Sequence, residues 1–107
     1  MDEELMKLLD YRGVLSALAT TSDGLVVAAA GLSSDDAEIV GAAGASLWSS
    51  VSELGQESGS FELNEAALHL RQGTELSVVV LTELDVSHDA LNPVLTETVE
   101  SLAAVFN

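Results

Sequence analysis

Cysteine is absent from this chain of 107 residues, which removes a disulfide framework, thiolate catalysis and any cysteine-based metal site, and fits a reducing, cytoplasmic setting. Basic residues are nearly as scarce. Lys7, Arg12 and Arg71 stand against 18 Asp and Glu, for a net charge of −15. Such a surface repels phosphate backbones and anionic headgroups, so neither nucleic acid nor a membrane surface is an expected partner, and a basic protein surface is. A halophile-type solvation shell, or simple solubility, would leave the same composition. Aromatic residues make up only 4% of the chain, so Val, Leu and Ala must fill the core. No apolar run approaches the ~20 residues of a bilayer span; the longest is Leu25 to Gly31. The opening MDEELMKLLD is acidic where a secretory leader would be basic, so neither a signal nor a membrane-inserting segment is expected.

What is present is a chain 48% hydrophobic with a mean hydropathy of +0.34. The expectation is one domain over residues 1–107 with a modest core, part of which a partner could complete. Leu5, Leu8 and Leu9 recur at helical spacing within Glu3–Tyr11, and Gly13 is placed to stop that helix. Val14–Thr21 and Leu25–Ala30 are apolar runs separated by Ser22-Asp23-Gly24, a strong hairpin signal. Past the long central segment Ser33–Gly55, Gln56–Ser60 reads as a connection and Phe61-Glu62-Leu63 alternates as a half-buried or edge strand. Leu68–Arg71 alternates again, with Asn64-Glu65 and Gln72–Glu75 as turns on either side. Leu76–Thr82 is apolar without alternation, as an interior strand should be. Leu91, Val94, Leu95, Val99, Leu102 and Val105 define a last helix, with Phe106 ending its apolar face. Pro93 suits only a helix start, so this helix is expected to open close before it, capped by Asp89 or Asn92. The order α-β-β-α-β-β-β-α predicts an α+β domain: a five-stranded antiparallel sheet with helices on both faces.

Ser33–Gly55 carries most of the information. Ser33 or Ser34 can cap it, and Ser33 with Asp36 or Asp35 with Glu38 has capping-box spacing. Capping accounts for these carboxylates better than metal binding does, because adjacent side chains diverge on a helix. Wound at ~100° per residue, Val40, Gly44, Leu47, Val51 and Leu54 form the expected sheet-facing stripe. Ala37, Gly41, Ala45, Trp48 and Ser52 lie beside it, and Glu38, Ser49 and Glu53 make a polar back. Gly41 and Gly44 each cost a helix interior about 1 kcal/mol relative to Ala, so something should approach the backbone closely. The same helix of a second subunit is one candidate and intramolecular packing the other. Trp48 is either an interface anchor or a core residue.

Catalytic patterns are missing. No G-x-x-x-x-G-K-[ST] loop or G-x-S-x-G elbow occurs, no cofactor is implied, and His69 and His88 are lone histidines expected at the surface. Arg71 reads as a strand-surface residue. The expectation is a chain that is not an enzyme.

The element order, the first helix ending in Arg12-Gly13-Val14, the turn Ser22-Asp23-Gly24, the small-residue helix and the Leu76–Leu81 strand before an Asp-containing loop together resemble the Roadblock/dynein light-chain family. The chain looks most like the compact bacterial members similar to MglB, the partner of a small Ras-like GTPase. That resemblance implies a non-catalytic homodimer, paired through the central helix and the third strand, that offers its helices to a GTPase or a scaffold. Carried onto this chain, the dimer contacts would be Gly41, Gly44, Ala45, Trp48 and Ser52 on the helix and Phe61, Glu62 and Leu63 on the strand. The GTPase-facing residues would be Glu38, Ala42, Ser49 and Glu53. A structural scaffold subunit is the alternative within the family, and a ligand-sensing domain the alternative outside it.

Overall fold

Eight elements follow one another in the expected order: α1 (Asp2–Leu8), β1 (Val14–Thr20), β2 (Val26–Ala30), α2 (Ser34–Glu53), β3 (Ser58–Glu62), β4 (Ala67–Gln72), β5 (Ser77–Thr82) and α3 (His88–Phe106). The computed structural model describes residues 2–21, 23–73 and 75–106, the Phe106 side chain excepted. Ser22 of the first predicted turn, Thr74 of the last, and the expected apolar contribution of Phe106 therefore lie outside the described residues.

The strands form one antiparallel sheet in the order β2-β1-β5-β4-β3, so β2 and β3 are its edges. β5 lies at the centre because its Val78, Val79 and Val80 are apolar on both faces, and all three are buried. Helices α1 and α3 cover one face, where Leu5, Leu8, Ala17, Val78, Val80, Leu95 and Leu102 pack together. Burying a leucine such as Leu95 or Leu102 fully contributes about 1.5–3 kcal/mol. Helix α2 alone covers the other face, over Leu18, Leu68, Leu70 and Val79.

Three boundaries depart from the sequence reading for identifiable reasons. α1 ends at Leu8 rather than Tyr11, because the chain tightens there into successive turns: Leu9 N–H donates to the Met6 carbonyl at 3.1 Å and Tyr11 N–H to the Leu8 carbonyl at 3.1 Å. β3 begins at Ser58, inside the expected connection, since Ser58 and Gly59 pair with Arg71 and Leu70 on β4. Gly59 also leaves room for Val51, whose Cγ2 would stand 2.7 Å from any Cβ placed there. α3 opens at His88 with Ser87, not Asp89 or Asn92, as its cap: the Ser87 hydroxyl accepts from Ala90 N–H at 3.4 Å. Pro93 thus sits inside the helix. The N–H it lacks would have met the carbonyl of Asp89, an exposed residue of the first turn where water can take the place of the missing bond.

Candidate functional site

Helix α2 is anchored at Ser33, whose side-chain oxygen accepts from Asp36 N–H at 3.2 Å. The carboxylates of Asp35 and Asp36 occupy its first turn, where the helix dipole favours them. The residues buried against the sheet are Ala37, Gly41, Gly44 and Val51, with Val40, Leu47 and Trp48 half-buried on the same cluster. Both glycines are explained within the chain. A Cβ at Gly41 would stand 2.9 Å from the Gly24 carbonyl oxygen and 3.0 Å from Val26 Cγ2; one at Gly44 would stand 2.8 Å from Val79 Cγ2. Gly24, at φ +90°, is the residue that lets the β1–β2 turn come so near. Of the two candidates for the close approach at Gly41 and Gly44, intramolecular packing accounts for both: the chain's own hairpin and β5 fill the space. The expectation for Leu54 is corrected, since it is 77% exposed rather than sheet-facing.

The outer surface of α2 divides into two stripes. Glu38, Ala42, Ser49 and Glu53 are all exposed and fall within about 60° of one another on the helical wheel. Beside them Ala43, Ser46 and Ser50 look toward β3 and, with Phe61, Leu63 and Leu68, line an apolar groove of about 330 Å³. Phe61 is 53% and Leu63 43% exposed on the open edge of the sheet, and Glu62 between them is exposed as well. The structure thus brings Phe61 and Leu63 together with the small residues at 43, 46 and 50. It does not bring them together with Gly41, Ala45 and Trp48, because that flank of α2 turns toward the β1–β2 hairpin; Ser52, although exposed, lies on the same flank. Ala43, Ser46 and Ser50 were missed by the sequence reading, although their spacing of three and four was the available signal.

A second polar cluster lies on the α3 face. His69, on β4, is 1% exposed and His88, at the start of α3, is half-buried, so neither is the surface residue expected. β4 escapes exposure because α3 covers this face while α2 covers the other. The two Nδ1 atoms are 3.0 Å apart and the rings are parallel to within 9°. The Thr82 hydroxyl donates its only proton to the Glu83 carbonyl at 2.9 Å. His69 Nε2–H must then be the donor to Thr82 Oγ1, at 3.0 Å. Neutral His69 is left with a bare Nδ1, which accepts from His88 Nδ1–H, and His88 Nε2 in turn accepts from the Ser58 hydroxyl at 3.4 Å. One directed chain of protons ties β3, β4, β5 and α3 together. Burial, and after it the neighbouring His88, pushes His69 down to about 4. Burial also lowers His88; Asp89 counters the shift and Arg71 reinforces it. Arg71 is half-buried rather than on the strand surface, and its guanidinium donates to Glu57 at 3.1 Å. Among the described residues no group of three or more metal-binding side chains converges.

The model of the Roadblock/LC7 domain matches residues 1–82, from α1 through β5. This chain belongs to the Roadblock/LC7 family. As a Roadblock/LC7 domain it is similar in fold to the Roadblock/LC7 domain from Streptomyces avermitilis, at 22% identity and a TM-score of 0.89 over 99% of this chain and 97% of that one. It is similar to the gliding protein MglB from Thermus thermophilus, at 17% identity and a TM-score of 0.70 over 97% and 86%. It is also similar to an MglB with a tetrameric arrangement, at 18% identity and a TM-score of 0.71 over 97% and 85%. No curated protein sequence matches it. Roadblock/LC7 membership places the chain among regulatory and adaptor domains, and no helix among its described residues is long and apolar enough to cross a membrane.

Proposed function

We propose that this Roadblock/LC7 domain is a non-catalytic, cytoplasmic regulator or adaptor that pairs with a second copy of itself and presents its paired α2 helices to a small Ras-like GTPase, altering the nucleotide cycle or the location of that GTPase. The observation that carries the reading is the incomplete cover on the α2 face. One helix lies over that face, and an apolar groove stays open between Ala43, Ser46 and Ser50 on α2 and the exposed Phe61 on β3 with Leu63 just past its end. A second copy set against the same edge would pair the unpaired backbone groups of β3 and close the groove. Small residues on the facing stripe would let the two α2 helices approach closely. The likeness to MglB, and to an MglB with a tetrameric arrangement, supports assembly of this kind.

With the dimer built there, Glu38, Ala42, Ser49 and Glu53 form the continuous outer stripe offered to the GTPase, and the acidic balance of the chain suits a basic partner surface. Arg71 is engaged by Glu57, so we place the effect on the GTPase in its switch conformation rather than in an arginine supplied to the phosphates. The test is co-purification with a Ras-like GTPase encoded beside this chain, followed by GTP turnover with and without the domain. Binding with altered turnover supports regulation, and binding with unchanged turnover shifts the reading to a scaffold subunit. Absence of binding to every neighbouring GTPase would sink it.

A further inference from the structure

The sheet has a second open edge, on the side away from β3. β2 pairs with β1 alone. Natural edges are commonly blunted by Lys, Pro, inward-pointing charge or a bulge. β2 reads Val-Val-Ala-Ala-Ala and has none of the first three; its single device is a bulge that leaves Val27 without a partner between Thr20↔Val26 and Ala19↔Ala28. Beyond the bulge, Ala28 to Ala30 pair in regular register with β1; Ala28 and Ala29 stay partly exposed with no strand on their other side, while Ala30 is buried. Between this edge and the start of α2 runs a groove of about 400 Å³, lined by the apolar Val26, Ala29, Leu32 and Ala37 and by the polar Ser33, Ser34 and Glu38. The exposed carboxylates of Asp35 and Asp36 stand in the same first turn of α2.

We propose that the β2 edge is a docking site for an extended basic segment of a partner protein, added to the sheet as a sixth strand. Alternate apolar side chains of the segment enter the groove, because successive residues of a strand point to opposite faces, and its Lys and Arg side chains meet Glu38, Asp35 and Asp36. Local charge selects this occupant over a second copy: Glu38, Asp35 and Asp36 beside the groove would meet the same carboxylates of a copy bound there, whereas the β3-side groove is lined by apolar and small residues. A copy bound through β2 on a molecule already paired through β3 would also extend the sheet without closure. The site lies at the opposite edge from the proposed dimer contact; it shares Glu38 with the stripe offered to the GTPase, but the open β2 edge is independent of that reading.

Fluorescence anisotropy of the full chain with a labelled, alternating Lys-Val peptide tests the proposal. The expected result is saturable binding, slowed hydrogen exchange confined to Val26–Ala30, and no binding of the alternating Glu-Val peptide. Val27→Lys places a charge on the open edge at an exposed position and should weaken the peptide by about tenfold or more, with circular dichroism and thermal midpoint retained. Glu38→Gln should reduce the salt dependence of binding. Three outcomes would overturn the proposal: equal affinity for a lysine-only peptide of the same charge, protection at Ser58–Glu62 in place of β2, or undiminished binding by Val27→Lys. So would a fall in sedimentation mass on Val27→Lys, which would assign the edge to a second copy.

Discussion

A histidine at 1% exposure beside a second, half-buried one is a stability device with a definite sign. In the unfolded chain His69 titrates near its ordinary 6.5, whereas in the fold it is held to about 4. Between those values the unfolded state binds more protons, so stability present above about pH 6.5 is lost as pH falls toward 4. The loss amounts to about 3 kcal/mol at most. His88 is lowered in the same direction; Asp89 favours its protonation and Arg71 opposes it. Protonating His69 at Nδ1 would remove the acceptor that His88 uses, so the charged form forfeits both solvation and a hydrogen bond. His69→Gln cannot take up that proton. It should be less stable at neutral pH by about 1–3 kcal/mol for its lost partners, and the gap to the native chain should narrow as pH falls. Urea midpoints of both proteins across pH 4–7 measure this; parallel curves would show that His69 does not titrate as described. Nothing in the sequence points to the pair. Two residues separated along the chain meet only because α3 begins early enough to place His88 over β4.

For α2, the stripe Val40, Gly44, Leu47, Val51 and Leu54 predicts a sheet-facing direction centred near Val40. The buried set Ala37, Gly41, Gly44 and Val51 is turned from that direction by about 50° on the wheel. A wheel weights large apolar side chains, but here the helix seats through its smallest residues, with Gly24 and Val79 filling the space that absent side chains leave. That is why the helix, its cap and its length were legible while the identity of the free flank was not; Leu54, large and apolar, lies on solvent. β3 was legible only where it alternates, since Ser58 and Gly59 carry no strand pattern and are recruited by pairing with β4. Two substitutions follow from the seating. On an exposed helix Gly→Ala is worth up to about 1 kcal/mol of stabilisation. Gly41→Ala should instead destabilise, because its Cβ meets a backbone oxygen, that of Gly24 at 2.9 Å, that no rotamer change can move. Gly44→Ala meets a side chain, Val79 Cγ2 at 2.8 Å. Its cost, about 1–3 kcal/mol as overpacking, should be partly relieved in combination with Val79→Ala. A double-mutant cycle by chemical denaturation would show the coupling, and strict additivity would contradict the contact.

At the scale of the whole molecule, the net charge of −15 gives the two proposed kinds of association opposite responses to salt. Pairing two identical chains through β3 and α2 sets like charge against like, while the contact itself is small and apolar: Ala43, Ser46, Ser50, Phe61 and Leu63. Binding a basic partner on Glu38, Ala42, Ser49 and Glu53 sets opposite charges together. Screening lengths fall from about 10 Å at 0.1 M salt to about 3 Å at 1 M, so salt removes repulsion from the first association and attraction from the second. Sedimentation equilibrium should therefore show self-association of the 11.1 kDa chain strengthening as salt rises. Affinity for the GTPase should weaken over the same range, chiefly through a slower on-rate. Phe61→Lys separates the two. It puts a charge into the groove that the second copy must enter and should yield a monomer at every salt concentration, with the α3 face of the sheet undisturbed because Phe61 is exposed and lines only the α2-side groove. If dimer and partner affinity both fell with salt, the self-contact would be electrostatic and the apolar groove would not be its seat. If neither responded, the acidic surface would serve solvation alone.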